Sequence, residues 1–332
     1  MKKILLIAVV PLFLLLSCPL FAAEDPGGFK FLYQVKKDEV KILKASLQQD
    51  QGKFLSWEKG RIIAKDVYNG SGWSKYMDFS PEDFGIRMEE DNSVRIIEPG
   101  MVSGICYSPE NKELAFLMHL GDSINSVLAV ADMSKDRVIY TNSAKIHPQV
   151  AGRRMEFMAI ENLNMPPCIS GDGKFVAYGA YTYLYANNVE IVSLADKKKT
   201  IIKNAVLPYF WKDKLYYLVQ DEKKKKSALY CAALLGLKGE KFMDLDMEVN
   251  VTCLHKGVYY VLSGTRIFAC PLEGDKKFSE AANTAGLGAG YDKSEIQKFF
   301  AASNGNKDYL FVFLRGFKGT KIEFKMYARE IK

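Results

Sequence analysis

The stretch Ser108-Pro109-Glu110-Asn111-Lys112-Glu113-Leu114-Ala115-Phe116 decides the fold, because the chain repeats its pattern. Copies at 170–178 and 303–311 superpose on it without gaps, and shorter copies at 211–217 and 255–260 keep the turn and the strand. Each full copy reads as the end of a strand, a tight turn, a lysine and a new apolar strand. The turn corner suited to a positive φ falls on Asn111, Gly173 or Asn306.

The period of the repeat matches that of a propeller blade. The strand aromatics Phe116, Tyr178, Tyr217, Tyr260 and Phe311 are 62, 39, 43 and 51 residues apart. A four-stranded blade takes about 40 to 50 residues. Two insertions explain the longer intervals: 144–167, and an Ala/Gly-rich stretch 281–290 with a charged continuation to Lys298. The sequence therefore predicts an all-β fold, a β-propeller of four-stranded antiparallel blades.

The N-terminal third holds weaker copies, a strand-turn-strand at 54–64 and a hairpin of 84–88 with 94–97. Ahead of them lies another hairpin, 29–35 with 40–47. Pairing one terminus with the other removes two exposed sheet edges, so we expect this hairpin to complete the blade begun by residues 300–331. We predict six blades in a single domain, residues 29–332. The alternative is seven, with the hairpin as a blade of its own.

Composition places the chain among foldable globular proteins. Of its 332 residues, 26% are charged and 48% are apolar, which excludes a disordered chain. Aromatic residues make up 12%, with 18 Tyr and 20 Phe, and this favours strands. The formal net charge of +7 is modest for this length.

The first residues indicate export. Lys2 and Lys3 precede an apolar run, 4–16, that is too short to cross about 30 Å of hydrocarbon as a helix but suits a signal-peptide core. We expect a signal peptide of residues 1–22 and a periplasmic or secreted protein. In the alternative, Leu15-Leu16-Ser17-Cys18 acts as a lipobox and Cys18 carries a lipid anchor, which would be the only membrane contact.

The pattern Ser-Pro-Asp-Gly-Lys-x-Leu-Ala-Phe behind 108–116 and 170–178 resembles the repeat of the TolB-type (WD-like) periplasmic β-propellers. Residues 303–311 keep its length but carry Gly305 and Asn306 where the pattern has Asp and Gly. The resemblance implies a propeller that binds other envelope proteins or forms the non-catalytic part of a peptidase. Only about 30 residues precede the repeats, so we expect the α/β domain that TolB-type proteins carry in front of the propeller to be missing.

Five cysteines follow the export segment. Cys106, Cys168 and Cys253 fall in first strands of blades, and Cys231 and Cys270 fall in third strands. An odd number leaves at least one unpaired, and equivalent positions of different blades lie beyond disulfide distance. We expect small buried apolar residues between blades, with a disulfide between Cys231 and Cys253 as the alternative.

The sequence shows no local motif for catalysis or metal binding. His119, His147 and His255 lack metal-motif spacing, and neither Gly-x-Ser-x-Gly nor Gly-x-Gly-x-x-Gly occurs. We expect no catalytic residue, no cofactor and no metal. The lysine runs 197–199 and 223–226 lie at hairpin ends without stacking aromatics, so we expect no nucleic-acid partner.

The insertion 144–167 is the candidate partner-binding loop, because long loops on a rigid scaffold often bind ligands. Its candidate contact residues are His147, Arg153, Arg154 and Glu156. We therefore predict an exported non-catalytic propeller that binds a protein, peptide or glycan in the cell envelope. The alternative is a propeller hydrolase of glycans or peptides, with carboxylates gathered from separate blades at the central channel.

Overall fold

A computed structural model of the chain describes residues 27–36, 53–58, 61–68, 74–78, 87–90, 93–96, 102–119, 125–135, 137–145, 167–181, 187–221, 226–247, 249 and 251–331. Within these ranges the chain forms β-strands and one short 3₁₀ helix, Ala285–Gly288. No described helix has the length and apolar character needed to cross a membrane. The predicted export segment, residues 1–22, lies outside the described residues.

The described strands, in chain order, are β1 (Lys30–Gln34), β2 (Lys53–Glu58), β3 (Arg61–Asp66), β4 (Ser74–Asp78), β5 (Arg87–Glu90), β6 (Ser93–Ile96), β7 (Val102–Ser108), β8 (Glu113–His119), β9 (Asn125–Asp132), β10 (Arg137–Lys145), β11 (Cys168–Ile169), β12 (Phe175–Tyr181) and β13 (Asn187–Ser193). The remaining strands are β14 (Lys199–Lys203), β15 (Ala205–Trp211), β16 (Lys214–Asp221), β17 (Lys226–Ala233), β18 (Gly239–Leu245), β19 (Val251–His255), β20 (Val258–Ser263), β21 (Arg266–Pro271), β22 (Ser279–Asn283), β23 (Lys293–Asn304), β24 (Lys307–Lys318) and β25 (Lys321–Ile331).

Five of the described sheets have four antiparallel strands: β7–β10, β11–β14, β15–β18, β19–β22, and β23–β25 with β1. In the first four, neighbouring strands pair in chain order, so the first strand lies at one edge. First strands of successive sheets contact one another: β2 with β7, β7 with β11, β11 with β15, and β19 with β23. Small meanders whose first strands gather around one axis form a β-propeller, and the predicted fold class is confirmed.

The ring closes through the N-terminal strand. β1 pairs antiparallel with β25, with Lys30 opposite Ala328 and Gln34 opposite Lys325. The backbone N–H of Val35 donates to the carbonyl of Phe324 at 2.8 Å and extends the pairing by one bond. We call β1 with β23–β25 the closing blade. The predicted pairing of 29–35 with the last blade is confirmed, and a separate blade for this strand is wrong; residues 40–47 lie outside the described residues.

The number of complete four-stranded blades among the described residues is five, where we expected six. A three-stranded sheet, β2–β4, lies between the closing blade and β7–β10. On one side β2 contacts β7, and on the other Tyr68, just after β3, packs on Tyr309 and Phe311. The hairpin of β5 and β6 forms a two-stranded sheet of its own, so it does not supply a fourth strand to β2–β4.

Apolar side chains on both faces of each blade pack against the two neighbouring blades. In β16, Leu215 and Tyr217 join the core formed with the preceding blade, whereas Tyr216 and Leu218 join the core formed with the following one. Successive residues of a strand point to opposite faces, so an uninterrupted apolar strand supplies both interfaces. This explains why the second strands read as continuous apolar runs in the sequence.

Antiparallel order sorts the connections onto two faces of the ring. Turns from first to second and from third to fourth strands share one face, which we call the turn face. Connections from second to third strands, and from one blade to the next, share the opposite face, which we call the connection face. The copies of the repeated motif whose turns are described therefore lie on the turn face: 108–116, 170–178, 211–217, 255–260 and 303–311.

The repeated turns are less uniform than a gapless alignment predicts. Gly173 has the expected positive φ of 69°, but in the other two copies Lys112 (φ 52°) and Gly305 (φ 61°) take that role instead of Asn111 and Asn306. Asn304 pairs with Lys307, so the third copy is a two-residue hairpin with glycine at the first central position, as a type II′ turn requires. A shorter loop moves the left-handed corner by one residue.

The expected insertion at 281–298 is also partly wrong. Residues 281–283 end β22, the 3₁₀ helix follows, and residues 293–298 belong to β23. A β-bulge between Ile296 and Lys298 adds Gln297 to the strand and interrupts its alternation. The charged continuation is therefore an extension of the closing blade's first strand.

The burial of Phe29, directly before β1, gives a test of ring closure. Phe29 is 0% exposed in the core of the closing blade, whereas Phe31 in β1 is 40% exposed. We expect Phe29→Ala to lower the free energy of unfolding by about 3–5 kcal/mol in urea denaturation. Phe31→Ala is the control and should lower it by less than about 1 kcal/mol. Equal losses for both variants would contradict this packing.

Candidate functional site

The site residues predicted from the sequence lie outside the described residues. This holds for Cys18 and for the loop residues His147, Arg153, Arg154 and Glu156. The strands that flank the loop are described: β10 ends and β11 begins at the connection face. A role for this loop stays a prediction.

The serine and aspartate of the repeated turn serve the backbone. Ser170 Oγ donates to Asp172 Oδ1 at 2.7 Å and accepts from the N–H of Phe175 at 3.0 Å. Asp172 Oδ1 also accepts from the N–H of Lys174 at 3.1 Å. These side chains stabilise the four-residue loop, so the motif is a structural turn.

A serine, a histidine and an aspartate meet between the last two blades, but not as a catalytic triad. Ser303 Oγ donates to Asp308 Oδ1 at 2.6 Å, and His255 Nε2 lies 3.0 Å from the same oxygen and 3.5 Å from Ser303 Oγ. In a triad the histidine bonds serine through one nitrogen and the carboxylate through the other. Here one nitrogen of His255 faces both groups, and the Ser303 hydroxyl donates its hydrogen bond to the carboxylate and not to the histidine.

Asp308 acts instead as a polar link between blades. Lys256, which belongs to the preceding blade, donates a hydrogen bond from Nζ to Asp308 Oδ1 at 2.8 Å. Burial by itself would raise the pKa of Asp308, but the hydrogen bonds from Lys256, Ser303 and His255 outweigh it and hold the pKa well below the usual range. The carboxylate therefore stays ionised at neutral pH.

Three carboxylates gather at the turn face between β7–β10 and β11–β14. Glu113 lies directly opposite Asp132 in the β8–β9 register, and Asp172 belongs to the next blade's turn. Burial, with the nearby charges of Asp132 and Asp172, raises the pKa of Glu113 to about 7. Hydrogen bonds from Lys135 and Ser134 lower the pKa of Asp132 to about 2.

Divergent pKa values in a carboxylate pair are typical of acid–base catalysis, but the position of Glu113 points to packing. Its Oε2 is buried without a hydrogen-bond partner among the described residues. A Cβ at Gly173 would lie 2.9 Å from this oxygen, so the carboxyl is pressed against the next blade's turn. Glu113 and Asp132 stand on second and third strands, away from the axis that the first strands surround.

The described cysteines are all free, so the alternative disulfide between Cys231 and Cys253 does not form. Burial raises the pKa of the Cys168 and Cys253 thiols above the usual range. Cys168 Sγ donates to the carbonyl of Pro208, in the first strand of the next blade, at 3.4 Å. Among the described residues no cluster of His, Cys, Asp or Glu is arranged to hold a metal ion.

The closing blade is longer than its neighbours at the connection face. Counted from the turn face, β24 has 12 residues, whereas β8, β12, β16 and β20 have six to eight. The excess of four to six residues adds about 13–20 Å. We call residues 292–298 and 314–325 the projecting end. Its basic residues are Lys293, Lys298, Arg315, Lys318, Lys321 and Lys325, and its acidic residues are Asp292, Glu295 and Glu323.

One face of the projecting end is braced by Tyr291. A Cβ on Gly316 would lie 2.5 Å from the Tyr291 ring, so glycine lets the ring lie flat on the sheet. Tyr291 Oη donates to Glu323 Oε2 at 2.7 Å. Lys325 Nζ lies 4.9 Å from the centre of the same ring. These contacts hold the Tyr291 ring against this face of the sheet.

The other face, on the side of β2–β4, carries cations and apolar groups. Phe317 lies opposite Lys293 and Ile322, and Ile322 is 43% exposed. The Arg315 guanidinium lies 4.6 Å from the centre of the Phe317 ring. Lys293 Nζ forms an ion pair with Glu295 at 2.6 Å. The arrangement suits a ligand with a negative charge and an apolar group.

Lys298 lies where this face meets the body of the blade. It stands on the first strand and is half-buried beside the bulge at Gln297. Burial lowers its pKa to about 7. The sequence pattern did not point to Lys298, because the charged run 293–298 reads as part of an insertion. The alternation of Phe311, Phe313, Arg315 and Phe317 in the paired strand was the available signal.

Comparison with known proteins shows no family for this chain. No family model matches the chain, and no curated protein matches it. Similar solved structures include TolB from Acinetobacter baumannii, at 10% identity over 82% of this chain and 60% of that chain, with a TM-score of 0.43. Others are a structure titled as a nidogen/laminin complex (8% identity, 81% and 92% coverage, TM-score 0.45) and Hsv2 from Kluyvelomyces marxianus (11%, 83% and 73%, 0.47).

At these identities the likeness concerns the fold alone. The chain spans 60% of the length of that TolB chain. Membership of a TolB-type family stays a prediction.

The raised pKa of Glu113 predicts a pH-dependent stability. Between about pH 4.5 and 7 the folded chain holds a proton that the unfolded chain has released, so the free energy of unfolding falls as pH rises. Glu113→Gln stays neutral and should lose this slope. Above about pH 8 the free energy of unfolding of Glu113→Gln should exceed that of the natural chain by about 1 kcal/mol, allowing for solvent screening.

Urea denaturation between about pH 5 and pH 8 measures the effect. Glu110→Gln, at an exposed position of the same turn, is the control and should keep the natural slope. If the free energy of unfolding of Glu113→Gln falls with pH as steeply as that of the natural chain, the pKa of Glu113 is not raised in the folded protein.

Proposed function

We propose that the chain is an exported β-propeller that binds a protein, peptide or glycan partner in the cell envelope. Export is supported by the sequence: Lys2 and Lys3, the apolar run 4–16 and the small residue Ala22. A signal peptide of residues 1–22 leaves Ala23 first, in a periplasmic or secreted protein. Acylation of Cys18 is the alternative, and the mass of the exported protein distinguishes the two.

The projecting end carries the binding proposal. The ring is already closed by β1 and packed through both faces of its blades, so the extra residues of β23–β25 are not needed for closure. They present Ile322 and Phe317 beside several cations. Exposed apolar groups framed by charge are typical of interaction sites.

The contacts of the conspicuous polar groups favour binding over hydrolysis. Ser303, His255 and Asp308 bond one another in a geometry that links two blades. Glu113 is pressed against the turn at Gly173. The Ser303–His255–Asp308 group and Glu113 thus both serve the packing between blades.

Capture of a partner from the envelope fraction of the source cells tests the proposal. The natural mature protein, tagged and cross-linked, should recover a specific partner. Ile322→Glu should lose it, because a charge on the projecting end disrupts an apolar contact there. Leu235→Glu is the matched control, since Leu235 is 96% exposed on the turn face.

Recovery with Leu235→Glu and not with Ile322→Glu places the contact on the projecting end. The reverse pattern would move the partner to the turn face and contradict the role of the projecting end. Capture of nothing specific by the natural protein would contradict the binding function itself.

A further inference from the structure

Two cationic side chains lie on the same face of the closing blade, one residue pair apart. Lys298 is opposite Phe313, and Arg315, two residues beyond Phe313, is opposite Glu295. Alternate residues of a strand share a face, so Lys298 and Arg315 are diagonal neighbours, a position at which long side chains are within reach of each other. This is the side that meets β2–β4, because Phe311 on it packs against Tyr68.

Neither cation has an anionic partner among the described residues. Arg315 Nε is buried without an acceptor, and the guanidinium contacts the Phe317 ring. For Lys298 the pKa is lowered to about 7, and the cause is burial of the amine. Glu295 lies opposite Arg315 on this face, and it forms an ion pair with Lys293 Nζ at 2.6 Å and accepts a hydrogen bond from Gln297 Nε2 at 3.4 Å.

A half-buried cation without an anionic partner is unfavourable, and a bound anion would offset that penalty. A carboxylate fits this pair, because arginine offers a two-pronged donor and lysine a mobile point charge. We propose that Lys298 and Arg315 form a binding site for a carboxylate group of an acidic peptide segment. The proposal rests on the binding function above and assigns the chemistry of the partner.

The surroundings of the pair favour a peptide over a glycan. Ile322, 43% exposed and opposite Phe317, offers an apolar contact for a side chain next to the bound carboxylate. The Phe317 ring is flanked by Arg315 at 4.6 Å and Lys293 at 5.9 Å, so it is not open for stacking on a sugar. An acidic residue followed by an aliphatic one matches this arrangement.

The binding test uses the full mature protein and two blocked synthetic peptides, Glu-Leu-Glu-Leu and Gln-Leu-Gln-Leu. The acidic peptide should bind, and the glutamine peptide should bind at least tenfold more weakly. Lys298→Met and Arg315→Met should each weaken the acidic peptide at least tenfold. Lys325→Met, on the opposite face, is the control for net charge and should change affinity less than twofold.

Lys298 also provides a readout that general electrostatics would not move. After reductive ¹³C-methylation, its NMR signal, assigned with Lys298→Arg, should titrate near pH 7 in the free protein. With the acidic peptide bound, the midpoint should rise by at least one pH unit, because a neighbouring carboxylate favours the charged amine. The glutamine peptide should leave the titration midpoint of Lys298 unchanged.

Equal weakening by Lys298→Met and Lys325→Met would overturn the site in favour of net charge. Binding of oligogalacturonate in place of the peptide would overturn the peptide assignment. If the acidic peptide does not bind, while capture of the envelope partner still depends on Ile322, this site is refuted and the proposed function stands. Failure of both would refute both.

Discussion

The backbone pairing of β1 with β25 is the constraint on which the rest of the structure depends. A blade on its own is a small meander with two exposed edges, and each blade buries its apolar faces only against neighbours. The N-terminal strand completes the last blade and ties the two ends of the described chain together. Loss of that pairing would expose the core around Phe29, Phe311 and Phe313.

Closure also explains how polar groups are used around the ring. Asp308 joins the last two blades through Lys256 and His255, and Glu113 meets the turn of the next blade. These contacts cross the interfaces between neighbouring blades. The closing blade has room to extend past the ring, because its additional residues pack against Tyr291 and do not need another blade. Binding capacity can therefore reside there without weakening closure.

Local sequence was sufficient for much of this fold. A turn followed by an apolar strand is encoded within nine residues, so 108–116 and its copies predicted the second strands. The N-terminal closure was predicted separately, from the need to cover exposed sheet edges. Gapless alignment hid the shorter turn at Gly305, and the bulge at Gln297 made a strand read as an insertion. The isolation of Lys298 and the crowding of Glu113 depend on residues distant in sequence, which no local pattern reports. The predicted loop residues, from His147 to Glu156, lie outside the described residues.

Amide hydrogen exchange of β1 tests ring closure most directly. If β1 completes the closing blade, its amides that face β25 should exchange as slowly as those of β25, with both strands opening in one cooperative step. Exchange of the β1 amides at the rate of a free chain, while β25 remains protected, would show that the ring is held together without its N-terminal strand.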